Sequence, residues 1–202
     1  MSVLEDFNHL IQEKYIQCGI IAFEIILFIV IFIVRIYTHR KKIKKVLEQY
    51  KNGEYLDIIP RVTQLKNGYS RFPTKANRFL CNQLSLILAS SALRIGNNNM
   101  FREHIKDVLD PELEYAAVMW ITVFDLNNND IMSAKAHYHQ FLQTKENERK
   151  IVAKNFLDAF FAYKEENHEL ALKLIEILRE KAENPVMNDY IEDMISSIKN
   201  SI

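Results

Sequence analysis

The side chains best suited to chemistry in this 202-residue chain are six histidines, His9, His39, His104, His137, His139 and His168, and two cysteines, Cys18 and Cys81. Imidazole moves protons near neutral pH or ligates metals, and a thiolate attacks electrophiles or binds zinc. Each role needs partners at set spacing. Only His137 and His139 are close in sequence, and residues two apart on a helix point in different directions. His168-Glu169 lacks the second histidine of a zinc-protease helix, and no paired-cysteine motif, glycine-rich phosphate loop or Gly-x-Ser-x-Gly elbow occurs. The expectation is surface histidines, and acids on solvated helix faces rich in lysine, with no catalytic residue, metal site, cofactor or enzymatic reaction.

Glu24 is informative because of what surrounds it. It lies inside an almost unbroken apolar run from Ile16 to Ile36, CGIIAFEIILFIVIFIV at its centre. About 20 apolar residues rising 1.5 Å each match a hydrocarbon core of roughly 30 Å, so residues 16–36 are expected to be a transmembrane helix. An ionised acid there costs about 2.5–3.5 kcal/mol, which neighbouring Ile, Leu and Phe side chains offset. Such an acid either faces a membrane partner or a second copy of the chain, or sits near the outer interface.

Arg35, Arg40, Lys41, Lys42, Lys44 and Lys45 crowd the C-terminal flank of the run, against Glu5, Asp6, Glu13 and Lys14 before it. This positive-inside asymmetry predicts a single-pass protein of the cell membrane, with residues 1–15 outside and residues 37–202 in the cytoplasm. The charges follow the apolar run and no small-residue cleavage site succeeds it, so an uncleaved anchor is expected. The same basic cluster would be drawn to anionic headgroups of the bilayer. With 26 basic and 26 acidic residues the whole chain is balanced, and no nucleic-acid partner is expected. Cys18 and Cys81 fall on different sides of the span boundary and form no pair, which fits a reducing cytoplasm.

About 165 residues follow the run, enough for one domain with its own core. Apolar residues recur three and four apart without period-two alternation, so this part should be all-α. Breaks are expected at Lys51-Asn52-Gly53, from Lys66-Asn67-Gly68 to Phe72-Pro73, at Gly96 to Asn99, at Asp110-Pro111, at Asn127 to Asp130, near Thr144 to Glu146, at Glu166-Asn167 and at Asn184-Pro185. Pro111 and Pro185 suit first-turn positions, with Asp110 and Asn184 as caps. Pro60 should end or kink its helix.

An internal match aligns Tyr163 to Leu178 with Asp125 to Leu142, placing Ala171 over Ala134 and Ile175 over Tyr138. Gly53 and Gly96 mark two equivalent earlier turns, with Val62 and Ile105 near the large apolar position. This pattern resembles the tetratricopeptide repeat, where a polar turn leads to a small residue and then a large apolar one four positions on. Turn spacing is uneven against a family period of about 34, and no Trp-Leu-Gly-Tyr pattern appears. The resemblance covers residues 38–181 and implies a helical-hairpin solenoid. Val186 to Lys199 would form a capping helix.

If the resemblance holds, Phe156, Phe160 and Tyr163 on the fourth hairpin, continued by Met119, Val123 and Leu126 on the third, line a concave groove for a protein partner, while Leu157 and Phe161 pack inward. The alternative for this stripe is core. Arg71, Lys75 and Arg78 around Pro73 could grip a carboxylate or a lipid headgroup, or form an ordinary solvated helix start. Together these features predict a membrane-anchored adaptor that tethers a protein partner. The alternative is a non-catalytic subunit or assembly factor of a larger membrane-protein complex or homo-oligomer, with contacts through the transmembrane helix.

Overall fold

A computed structural model describes residues 40–179 and 181–201, together with Val30, Tyr37 and Thr38. The chain divides into two compact units, Met1–Leu47 and Glu48–Ile202. Most of the expected span at 16–36, with Glu24 and Arg35, lies outside the described residues, as does the segment 1–15. Among the described residues no helix is long and apolar enough to cross a membrane. Arg40, Lys41, Lys42, Lys44 and Lys45 are exposed.

The described residues form an all-α structure. Residues 40–51 are helical (α1), followed by α2 (Tyr55–Ser70), α3 (Lys75–Arg94), α4 (Asn98–Ile105), α5 (Glu114–Asn127), α6 (Ile131–Gln143), α7 (Glu148–Lys164), α8 (His168–Leu178) and α9 (Pro185–Ser201). Four tight turns of one form precede α2, α4, α6 and α8. Gly53, Gly96, Asn129 and Glu166 each adopt positive φ, at 75°, 75°, 56° and 61°. In each, the next residue's N–H reaches back five positions to a carbonyl, as Asn97 does to Ala92 and Asn167 to Ala162, closing the preceding helix in a Schellman motif. Asn97, Asp130 and Asn167 then cap the following helix by accepting from the amides of Met100, Ser133 and Leu170.

The regularity continues into the second helices. Five positions beyond each positive-φ residue stand Ile58, Phe101, Ala134 and Ala171, none more than 1 % exposed. Nine positions beyond stand Val62, Ile105, Tyr138 and Ile175; all but the half-buried Tyr138 are buried. Helices α3 and α4, α5 and α6, and α7 and α8 pack as hairpins, α2 packs on α3, and α5 joins its neighbours by packing on α3 and α7.

Three boundaries differ from the sequence expectation. Helix α2 runs past Asn67-Gly68 to Ser70, because Gly68 stays in helical φ on an exposed face while Leu65 holds the preceding turn in the core. Pro60 does not end α2 either: it sits on the exposed side, one turn after the exposed Leu56. Asp110-Pro111 opens a separate turn, in which the Asp110 carboxylate accepts from the Glu112 amide, and α5 starts only at Glu114. By contrast Pro185 begins α9, and Asn184 accepts from the Met187 amide.

Candidate functional site

Helix α9 does more than cap the last hairpin. It packs on α3, α7 and α8, and its polar groups reach further still. The Tyr55 hydroxyl on α2 donates to Asp189 at 2.6 Å. Arg94, the last residue of α3, holds Asp193 by one guanidinium nitrogen and lies 3.5 Å from Asp189 by another. Asn127 at the end of α5 donates to the Tyr190 hydroxyl at 2.7 Å, and Tyr163 at the end of α7 donates to Ser197 at 2.9 Å. Near the end of α1, the Tyr50 hydroxyl shares a 2.8 Å hydrogen bond with Ser90, and burial pushes that phenol up to about 12 against the easing effect of Ser90 and Asn184. Helix α9 therefore crosses the C-terminal ends of α3, α5 and α7 in succession.

The sequence-predicted stripe lies beneath it. Tyr190 stands 6.5 Å from the Phe156 ring and 5.7 Å from that of Phe160, and the Arg94 guanidinium lies over the Tyr190 ring at 5.3 Å. Phe156 and Phe160 are 0 % and 3 % exposed, and Met119, Val123 and Leu126 are buried as well. Tyr163 is half-buried between its Ser197 bond and the His168 ring. Phe156, Phe160 and Tyr163 touch α9, and Met119, Val123 and Leu126 are buried on α5. On α9 itself Val186, Met187, Tyr190, Ile191, Met194, Ile195 and Ile198 are all buried, about 1.5–3 kcal/mol for each large apolar side chain, with Ile198 packed among Ala162, Ala171 and Tyr163. Leu157 packs inward fully, and Phe161 does so partly, against Tyr138.

Toward the N-terminal ends of the same three helices the surface opens into a cavity of about 430 Å³. Its apolar wall is Phe79 on α3 with Pro111, Leu113 and Tyr115 at the start of α5, and its rim carries Gln83, Glu112, Lys145, Asn147, Glu148 and Arg149. Tyr115 lies one turn before Met119 on α5, so cavity and covered stripe share a helix face. Burial raises the Tyr115 phenol, and the Arg149 guanidinium, hydrogen-bonded to it, pulls it back. The loop before α7 is held by Lys150, only 2 % exposed, whose ammonium donates to the carbonyls of Leu142 and Thr144 and to Glu146 and lies 5.6 Å from the Phe141 ring centre.

Three histidines are less exposed than expected, His104, His137 and His168. His137 Nδ1 lies 2.6 Å from Asp125, a carboxylate largely buried at the end of α5. The first hairpin uses the same two positions for Gln49 and Arg61, bonded at 2.7 Å. In the second hairpin those positions hold Ala92 and His104, so alanine offers no acceptor, and buried His104 Nδ1 has no hydrogen bond. His139 is exposed, as are Arg71, Lys75 and Arg78, while His168 is half-buried. Among the described residues no group of three or more His, Cys, Asp or Glu side chains could hold a metal ion. Sequence reasoning missed Arg94, Asn127 and Tyr55 as anchors; the available signal was Asp189 and Asp193, four apart on the apolar-periodic segment that became α9. Compared with known protein families, with characterised proteins and with solved structures, the chain matches none.

Proposed function

We propose that this protein is a membrane-anchored adaptor whose helical domain, built like a degenerate tetratricopeptide array, tethers a protein partner at the cytoplasmic face of a membrane. The observation that carries the reading is the fourfold turn at Gly53, Gly96, Asn129 and Glu166, which sets α3, α5 and α7 side by side as the first helices of successive hairpins. Such an arrangement offers an extended surface without needing a reactive group. The open cavity between Phe79, Tyr115 and Arg149 gives a partner side chain a place to enter. The anchor rests on the apolar run 16–36 and its basic C-terminal flank, and tethering then acts by raising the partner's local concentration.

The test is crosslinking of the full-length protein in its native membrane, with the crosslinked residues mapped by mass spectrometry. The adaptor reading expects links from Lys145 and other residues around the cavity to one soluble protein. A second reading draws on the burial of Met119, Val123, Leu126, Phe156 and Phe160: the helices pack on themselves, and the membrane segment with Glu24 joins a larger complex. It expects links confined to the flanks of residues 16–36 and to other membrane proteins.

A further inference from the structure

A helix that merely caps an array needs only the last hairpin. Helix α9 instead spans α3, α5 and α7, and its polar side chains bond the ends of all three and Tyr55 of α2 as well. We infer that this face is a binding site for an amphipathic helix bearing two acids four residues apart around an aromatic anchor, and that α9 is a copy of that ligand carried by the chain itself. The inference rests on the adaptor reading and names its partner's chemistry.

Each element of that chemistry has a receptor in the fold. The aromatic anchor, Tyr190, sits on Phe156 and Phe160 beneath the Arg94 guanidinium. The two acids, Asp189 and Asp193, one turn apart, converge on Arg94. Their carboxylates remain 38 % and 56 % exposed, so water reaches the charged edge of the contact while the apolar edge is closed. An incoming helix with the same pattern makes the same bonds, so replacement nearly conserves contacts and is decided by effective concentration.

A fluorescein-labelled synthetic peptide of residues 185–201, titrated with the full-length protein in detergent micelles and followed by anisotropy, tests this. With the unsubstituted chain, binding should be weak, because α9 competes from within. The Asp189→Asn/Asp193→Asn chain should bind the wild-type peptide about tenfold tighter, since its own helix has lost the ionic contacts while the site keeps Arg94. In an Arg94→Gln chain both helices lose the pairing together, and no such gain is expected. Equal gains in the two variants, or no saturable binding to any chain with helicity unchanged by circular dichroism, would overturn the inference and make α9 a fixed part of the core. Refusal of the peptide by a chain that still crosslinks a soluble partner at the cavity rim would remove this inference alone; a domain that crosslinks no soluble partner would remove the adaptor reading and this inference with it.

Discussion

The hydroxyl of Tyr55 donates to the carboxylate of Asp189 at 2.6 Å, joining the second helix to the last across 134 residues of chain. Burial, and then this bond to an anion, push the Tyr55 phenol well above its ordinary range, so it stays a donor at any physiological pH. Tyr55→Phe keeps the ring, which packs edge-on against Tyr50 at 5.8 Å, and removes the donor alone. Because Asp189 is partly exposed, the loss should be about 1 kcal/mol, short of the full value for a buried bond to a charge. It should appear as a lower urea midpoint with unchanged m-value.

The four turns make a graded prediction. Glu166 holds a φ of 61° with a side chain that disfavours it, so Glu166→Gly should stabilise by about 1 kcal/mol. Gly96, with a φ of 75°, should respond in the opposite sense to alanine, by about the same amount. Gly68 is helical, and an added Cβ there would meet nothing within 4 Å, so Gly68→Ala should stabilise by about 0.5–1 kcal/mol. Thermal melts of the three variants would show whether the signs follow φ.

Burial above all, and then the nearby Lys66 ammonium, lower the His104 imidazole from its ordinary 6.5, against the opposing pull of Glu103 and Asp107. The unfolded chain therefore takes up this proton first as pH falls. Stability should be full above about pH 6.5, decline as pH drops through the folded value, and then level off. The fourth hairpin places Leu174 and Ala162 where the second has His104 and Ala92. His104→Leu copies that apolar pair and should abolish the decline, gaining about 1 kcal/mol near pH 5 by urea titration. A pH slope unchanged by the substitution would exclude His104 as its source.

Lys150 makes a sharper test of the loop before α7. Lys150→Met fills similar volume but leaves the carbonyls of Leu142 and Thr144 without their donor. A loss of about 2–4 kcal/mol is expected, with faster amide exchange concentrated in residues 142–147.

What the sequence made legible was local. Glycine or asparagine before a capping Asn or Asp announced two of the turns, Gly96-Asn97 and Asn129-Asp130, while Asn52-Gly53 announced the first and the polar Glu166-Asn167 step the last, because helix ends leave backbone groups that only certain residues satisfy. Pro185 after Asn184 was readable for the same reason. Gly68 and Pro60 misled because their effect on a helix depends on which face they occupy, and tertiary packing of Ile58, Val62 and Leu65 decides that. The aromatic stripe at Phe156, Phe160 and Tyr163 was visible as a stripe; periodicity identifies an apolar face but not what covers it. That Tyr190 meets Phe156 and Phe160, some 30 residues away, and that Arg94 gathers Asp189 and Asp193, almost 100 residues away, are contacts made only by folding, and no local pattern encodes them.

Because α9 closes a face built by helices synthesised long before it, the order of translation matters. Each hairpin can form from neighbouring residues as it leaves the ribosome, but Phe156 and Phe160 have no Tyr190 ring against them until α9 has followed. During that interval the nascent chain presents an uncovered aromatic face, a natural target for chaperones. A chain truncated before Pro185 would hold that state permanently, and its fate would be degradation or aggregation despite four complete hairpins.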